Sequence, residues 1–172
     1  RDSIVRFLNY PVRITYVGRL DKDSEGLLLM TNNGDIINRM MRAANKHEKE
    51  YKVTVDKPVT DEFLKEMAGG VPILDTVTRP CQVEKLGKYK FKIILTQGLN
   101  RQIRRMCEAL GYEVKELRRV RIMNIELGNL KPGEYRKVTD QELNELYELI
   151  RDSKSEPTPW NNNCLLYTSP SP

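Results

Sequence analysis

The sequence predicts an α+β domain built on a mixed, mainly antiparallel sheet flanked by helices. Short apolar or alternating runs outnumber helical ones, the two kinds do not follow a regular strand-helix-strand rhythm, and the helical segments carry an apolar stripe on one face. At 172 residues, 39% of them hydrophobic, the chain can bury one sizeable core or two small lobes, so a single domain is expected.

Asp2 to Asn9 reads as a short helix. Residues 26 to 31 read as a buried strand, with the apolar run Leu27 to Met30 opening at Gly26 and closing at Thr31 and Asn32. A helix over 34–44 turns Ile36, Ile37, Met40 and Met41 inward, and Glu50 to Asp56 alternates as a strand. Thr60 caps a helix reaching Met67, with Glu62 and Phe63 in its first turn and Gly69 and Gly70 at its end. Residues 79–86 and 89–96 pair as a hairpin around Leu86, Gly87 and Lys88. A helix over 100–110 sets Ile103, Met106, Cys107 and Leu110 on one face and Arg101, Arg104 and Arg105 on the other, and Gly111 stops it. Strands near 112–118, 121–127 and 134–138 precede an amphipathic helix from Asp140 to Ile150. Residues 152–172 hold four of the nine prolines, three consecutive asparagines and no periodicity. They are expected to be a disordered or foreign tail, leaving 1–151 as the domain.

Composition narrows the partners. The net charge is +5, and residues 101–121 carry seven basic side chains against three acids, +4 of that total. A concentrated basic segment suits a phosphate backbone. Cys81, Cys107 and Cys164 lack metal-ligand spacing and are odd in number, which with a single histidine, His47, expected at the surface, argues for a reducing cytoplasm and against structural zinc. No apolar run approaches the roughly 18 residues of a membrane span. The chain opens on Arg1 rather than methionine, so the N terminus is expected to be a cut.

One segment concentrates charge at the lip of the first strand. Arg19, Asp21, Lys22, Asp23 and Glu25 fall within seven residues, immediately before Gly26. Asp21, Asp23, Glu25 and Gly26 mimic the opening of a calcium-binding loop, but Asn32 stands where a bidentate glutamate is required and the following residues read as a strand. A solvated turn is the plainer alternative.

Residues 18–35, GRLDKDSEGLLLMTNNGD, resemble the signature of the pseudouridine synthases, with its Arg-Leu-Asp motif, Gly-Leu-Leu-Leu strand and Thr-Asn-Asn-Gly turn. The resemblance continues through HEKEYKVTVDKP (47–58), GVPILDTVTRPC (70–81), the run from Gln97 to Ile125, and PGEYRKVT (132–139), covering about residues 4 to 150. HEKEYKVTVDKP and RIMNI are similar to the small-subunit-type branch, and within it to the bacterial F-type subgroup that modifies 23S ribosomal RNA. The resemblance implies the pseudouridine synthase catalytic fold, an RNA substrate, no cofactor or metal, and action as a cytoplasmic monomer.

It also implies the site. The reaction cleaves the bond from C1′ to N1 of uridine, turns the uracil, and joins C5 to C1′. Asp21 matches the carboxylate that acts as nucleophile or base, and Tyr51 the tyrosine that packs on the base and assists proton removal from C5. Arg104 matches the basic partner of the carboxylate, and Leu117 the apolar residue lining the pocket. Extruding a nucleotide from structured RNA costs a few kcal/mol. Arg19, Arg101, Arg105, Arg118 and Arg119 are candidates to offset this through phosphate contacts or insertion beside the flipped base. Members of the family ordinarily begin with an S4-type RNA-binding domain and a strand bearing Asn-Lys-Pro, and neither is found in this sequence. Weaker substrate grip and an unpaired sheet edge are the expected consequences. The same chemistry on a transfer-RNA uridine, or a non-catalytic RNA-binding module, are the alternatives.

Overall fold

The computed structural model describes residues 15–17, 20, 23–43, 47–151 and 165–169. The helix expected over Asp2 to Asn9 lies outside them. The class is α+β: among the described residues a sheet of nine strands carries four helices, with a separate two-stranded hairpin.

The strands are β1 (Thr15–Val17), β2 (Glu25–Thr31), β3 (Lys49–Val55), β4 (Pro72–Ile73), β5 (Thr76–Val77), β6 (Gln82–Gly87), β7 (Lys90–Leu95), β8 (Val114–Ile122), β9 (Ile125–Glu126), β10 (Tyr135–Lys137) and β11 (Leu165–Ser169). The helices are α1 (Gly34–Ala43), α2 (Asp61–Gly69), α3 (Gln102–Ala109) and α4 (Asp140–Ile150). The main path runs β10-β11-β2-β8-β3-β7-β6, with β1 also paired to β2 and β9 to β8.

Two buried clusters share this sheet. In the first lobe, Leu27 and Leu29 of β2 pack with Ile36 and Met40 of α1, with Leu143, Leu146 and Ile150 of α4, and with the β8–β9 turn. In the second, Val53 and Val55 of β3 and Phe91, Ile93 and Leu95 of β7 pack against Phe63 and Met67 of α2 and Ile103, Met106 and Cys107 of α3. Caps start three of the helices: Asn33 Oδ1 accepts from Asp35 N at 3.0 Å and Ile36 N at 3.3 Å at α1. Thr60 accepts from Phe63 N at 3.0 Å, and Thr139 and Glu142 form a reciprocal capping box at α4.

Four differences from the sequence reading have physical reasons. The strands expected near 112–118 and 121–127 are one long β8 followed by a two-residue β9, because β8 must reach from β3 to β2; the chain reverses only at Met123, whose φ is +54°. The first hairpin strand begins at Gln82 rather than 79, after Pro80, which has no N–H for a ladder. Pro72–Val77 form the unforeseen hairpin β4–β5, turned by Leu74 and Asp75 in left-handed backbone at φ +47° and +63°. Residues 165–169, expected within a patternless tail, form β11 between β2 and β10. Leu, Tyr and Thr suit a strand, and the edge of β2 supplies unpaired backbone groups for five residue pairs.

Candidate active site

The site lies where β2 meets β8. Only two residue pairs join these strands, Glu25 with Arg118 and Gly26 with Arg119, in parallel register. The approach is close: a Cβ on Gly26 would stand 2.2 Å from the Arg119 carbonyl oxygen and 2.6 Å from its nitrogen, and Gly26 has φ +116°. No other residue fits there.

An open cleft sits at this junction. Leu20 and Ser24 wall it on the loop before β2, Tyr51 on β3, Leu117 and Arg119 on β8, and Gln97, Arg101 and Gln102 around the start of α3. Tyr51 is half-buried and stands opposite Arg119 across the β3–β8 ladder, as Val53 does opposite Leu117, so all four share the face of the second lobe's core. Leu117 is 6% exposed.

Asp21 and Arg19 lie outside the described residues; Leu20, Asp23 and Ser24 lie within them. Nη2 of Arg104 donates to the carbonyl of Asp23, tying α3 to this loop across 81 positions of sequence. Asp23 itself turns at φ +70°. Nε of Arg104 is buried and has no hydrogen-bond partner among the described residues.

The remaining arginines separate by face. Arg101 precedes α3 in left-handed backbone at φ +48° and lines the cleft. Arg105 folds back on Asn100, donating from Nε to its carbonyl at 3.0 Å and from Nη2 to Oδ1 at 2.9 Å. Arg118 points to the opposite side of the sheet beside Glu25, 3.9 Å away, and is not brought to the cleft. Arg119 is 4% exposed, and its Nε and Nη2 both donate to the Leu27 carbonyl, at 3.0 and 2.9 Å. It is a wall of the cleft rather than a surface grip for phosphate.

The sequence reading missed Gln97, Gln102 and Ser24. Gln102 is buried; its Oε1 accepts from Leu99 N at 3.1 Å and its Nε2 donates to Gln97 Oε1 at 3.3 Å, holding the loop before α3 in shape. Gln97 Oε1 also accepts from Arg79 N at 3.1 Å. Burial raises the thiols, Cys81 to about 11 and Cys107 to about 12, so neither supplies a thiolate near neutrality. Lys49, at the start of β3, is lowered first by burial and then by the Arg119 charge. His47 is half-buried rather than at the open surface.

A cleft floored by a tyrosine and a leucine, beside Asp23 whose carbonyl Arg104 holds, on such a sheet, defines a class that comparison with known proteins identifies. The family model described as RNA pseudouridylate synthase matches residues 2–109, and the chain belongs to that family. It is 58% identical over 159 residues to the dual-specificity RNA pseudouridine synthase RluF of Shigella flexneri, covering 92% of this chain and 55% of that protein. It is 35% identical over 146 residues to the ribosomal small subunit pseudouridine synthase A of Yersinia pestis, covering 82% and 62%. A solved structure described as a pseudouridylate synthase superposes with a TM-score of 0.77 at 34% identity, covering 84% of this chain and 65% of that one. The chain therefore spans a little over half the length of the RluF protein it matches.

Proposed function

We propose that this chain carries the catalytic unit of an RNA pseudouridine synthase that isomerises a uridine in structured RNA, 23S ribosomal RNA foremost. The observation that carries the reading is convergence. Tyr51 and Leu117, matched to the family's motifs from sequence, line one cleft with Leu20 and Ser24, the described neighbours of Asp21.

In this reading Asp21 is the nucleophile or base at the sugar. Tyr51 packs on the uracil and assists removal of the C5 proton, and Leu117 closes the apolar floor. Arg104, already holding the Asp23 carbonyl and carrying a buried Nε, supplies the cation that keeps the Asp21 carboxylate ionised. Arg101 at the rim, with Arg19, meets the RNA backbone beside the extruded nucleotide. Arg105 and Arg118 would join them only by leaving Asn100 and Glu25. The chemistry is an isomerisation, and the reading gives the chain no cofactor. It acts as a monomer in the cytoplasm, where ribosomal RNA is made and modified. The name of the RluF relatives, dual-specificity, favours a second RNA alongside the first, and a transfer-RNA uridine is the candidate.

Joining C5 to C1′ expels the hydrogen at C5, so RNA carrying 5-tritiated uridine reports turnover directly. The chain is expected to release tritium from ribosomal or transfer RNA, and its Asp21→Asn variant to bind the same RNA without releasing it. RNA binding by a folded parent with no release from either RNA would replace the enzyme with a binding module.

A further inference from the structure

The run Arg118, Arg119, Val120, Arg121 lies in the basic segment, its first two arginines read in sequence as candidates for RNA contact, but the β3–β8 register divides it. Glu50 pairs with Arg121 and Tyr51 with Arg119, so Val120 is an extra residue, a bulge. In a regular strand Arg119 and Arg121 would share a face. The bulge sends them to opposite faces. On one, Arg121 is matched by Glu48 at 3.0 Å and Glu50 at 3.1 Å. On the other, Arg119 is buried in the cleft wall directly across from Tyr51.

A buried guanidinium is costly to desolvate, and here it is placed with care. Two donors converge on the single Leu27 carbonyl, and the backbone of Arg119 lies against Gly26, so the group can swing away only by giving up both bonds to β2. Gly26, Arg119 and Tyr51 thus form one row across three strands, from the acidic loop to the tyrosine. A fixed positive charge in a part-buried cleft is the arrangement that stabilises negative charge as it develops, with no reorganisation during the reaction.

We infer that Arg119 is a catalytic residue that stabilises the uracil ring while it is detached from the sugar, rather than a contact to phosphate. The inference rests on the proposed synthase activity. Cleavage of C1′–N1 leaves the bonding pair on the ring, spread over N1 and the carbonyl oxygens, while the Asp21 carboxylate either bonds to C1′ as nucleophile or takes the proton from C2′ as base. When C5 bonds to C1′ the ring gives back a pair, the C1′–O bond to Asp21 breaks or the C2′ proton returns, the C5 proton passes to a base and N1 takes one from water, so no outside reactant is consumed. The charge exists only between those steps, so the guanidinium acts on turnover more than on binding.

The test measures kcat and KM for tritium release by the parent, Arg119→Met, Arg119→Lys and Arg39→Met, with thermal midpoints for each. Arg39 is a second buried arginine, 1% exposed, paired with Asp35 in the first lobe and away from the cleft. Arg119→Met is expected to lower kcat about 10²-fold with little change in KM. Arg119→Lys recovers part of the loss, since it keeps the charge but not the fork, and Arg39→Met keeps kcat even where its midpoint falls as far. A kcat for Arg119→Met within about threefold of the parent, or a loss that Arg39→Met reproduces at an equal fall in midpoint, overturns the inference. If Arg119→Met does not fold, Arg119→Lys is held to the same comparison, and a kcat equal to the parent's overturns it. Absence of release by the parent would instead sink the synthase reading itself.

Discussion

The two lobes differ in how they are joined to the strand they share. The second lobe holds β8 through seven antiparallel residue pairs with β3, and β3 in turn pairs with β7 through six. The first lobe holds β8 through two parallel pairs, one of them resting on Gly26. The long ladder can lose a pair and persist, whereas the short seam cannot. The candidate site lies against that seam, where a small displacement would change the distance between the acidic loop and Tyr51, and Arg119 and Arg104 reach the β2 side from β8 and α3.

Breaking the seam should therefore cost at least as much as a large cavity elsewhere. Gly26→Ala introduces a Cβ inside the Arg119 backbone and demands φ +116° of an alanine, so a loss of about 4 kcal/mol or more is expected in urea unfolding. A loss under 1 kcal/mol would show that the seam yields freely. Phe91→Ala, in the second lobe, removes a fully buried ring that meets Phe63 edge-on with centroids 5.3 Å apart. About 3–5 kcal/mol should be lost. Hydrogen exchange then sharpens the comparison: amides of β3 and β7 should lose protection before those of α1 and α4, and equal loss in both lobes would mean that the short seam couples them fully.

The first lobe has its own pH dependence. Arg136, by a two-pronged hydrogen bond, and the backbone of Thr139 hold Glu142 at about 2, below the ordinary value of 4.5. Because the folded value is the lower one, the stabilisation is present above pH 4.5 and is lost as pH falls toward 2. Thermal midpoints should drop across that window by the equivalent of about 1–2 kcal/mol, and Glu142→Gln should flatten the drop. The smallest effect belongs to Thr60→Ala, which removes the cap of α2 and should cost about 1 kcal/mol in the same assay.

A continuous apolar run made β2 legible, since it is buried on both faces, and periodicity did so for β3, β7 and the four helices, each burying one face; the apolar positions of α3, Ile103, Met106 and Cys107, are buried as that spacing requires. Gln102 was also within reach, since it stands four residues before Met106 on the same face, where a polar side chain must find a partner. The division of Arg118, Arg119 and Arg121 was not. Charge can be counted in a sequence, but the bulge at Val120 is set by pairing with β3, 71 positions away in the case of Arg121 and Glu50. The turn at Leu74 and Asp75 carried none of the glycine or asparagine that usually announces left-handed backbone.

The central claim is that the cleft at the seam is a reaction centre in which Tyr51 serves the uracil. The most direct measurement is single-turnover tritium release from RNA carrying 5-tritiated uridine, by the parent chain and by Tyr51→Phe, which keeps the ring and removes the hydroxyl. The account predicts release by the parent, slowed about 10²-fold or more in the variant with RNA binding and thermal midpoint preserved. Equal rates from the two proteins would contradict it.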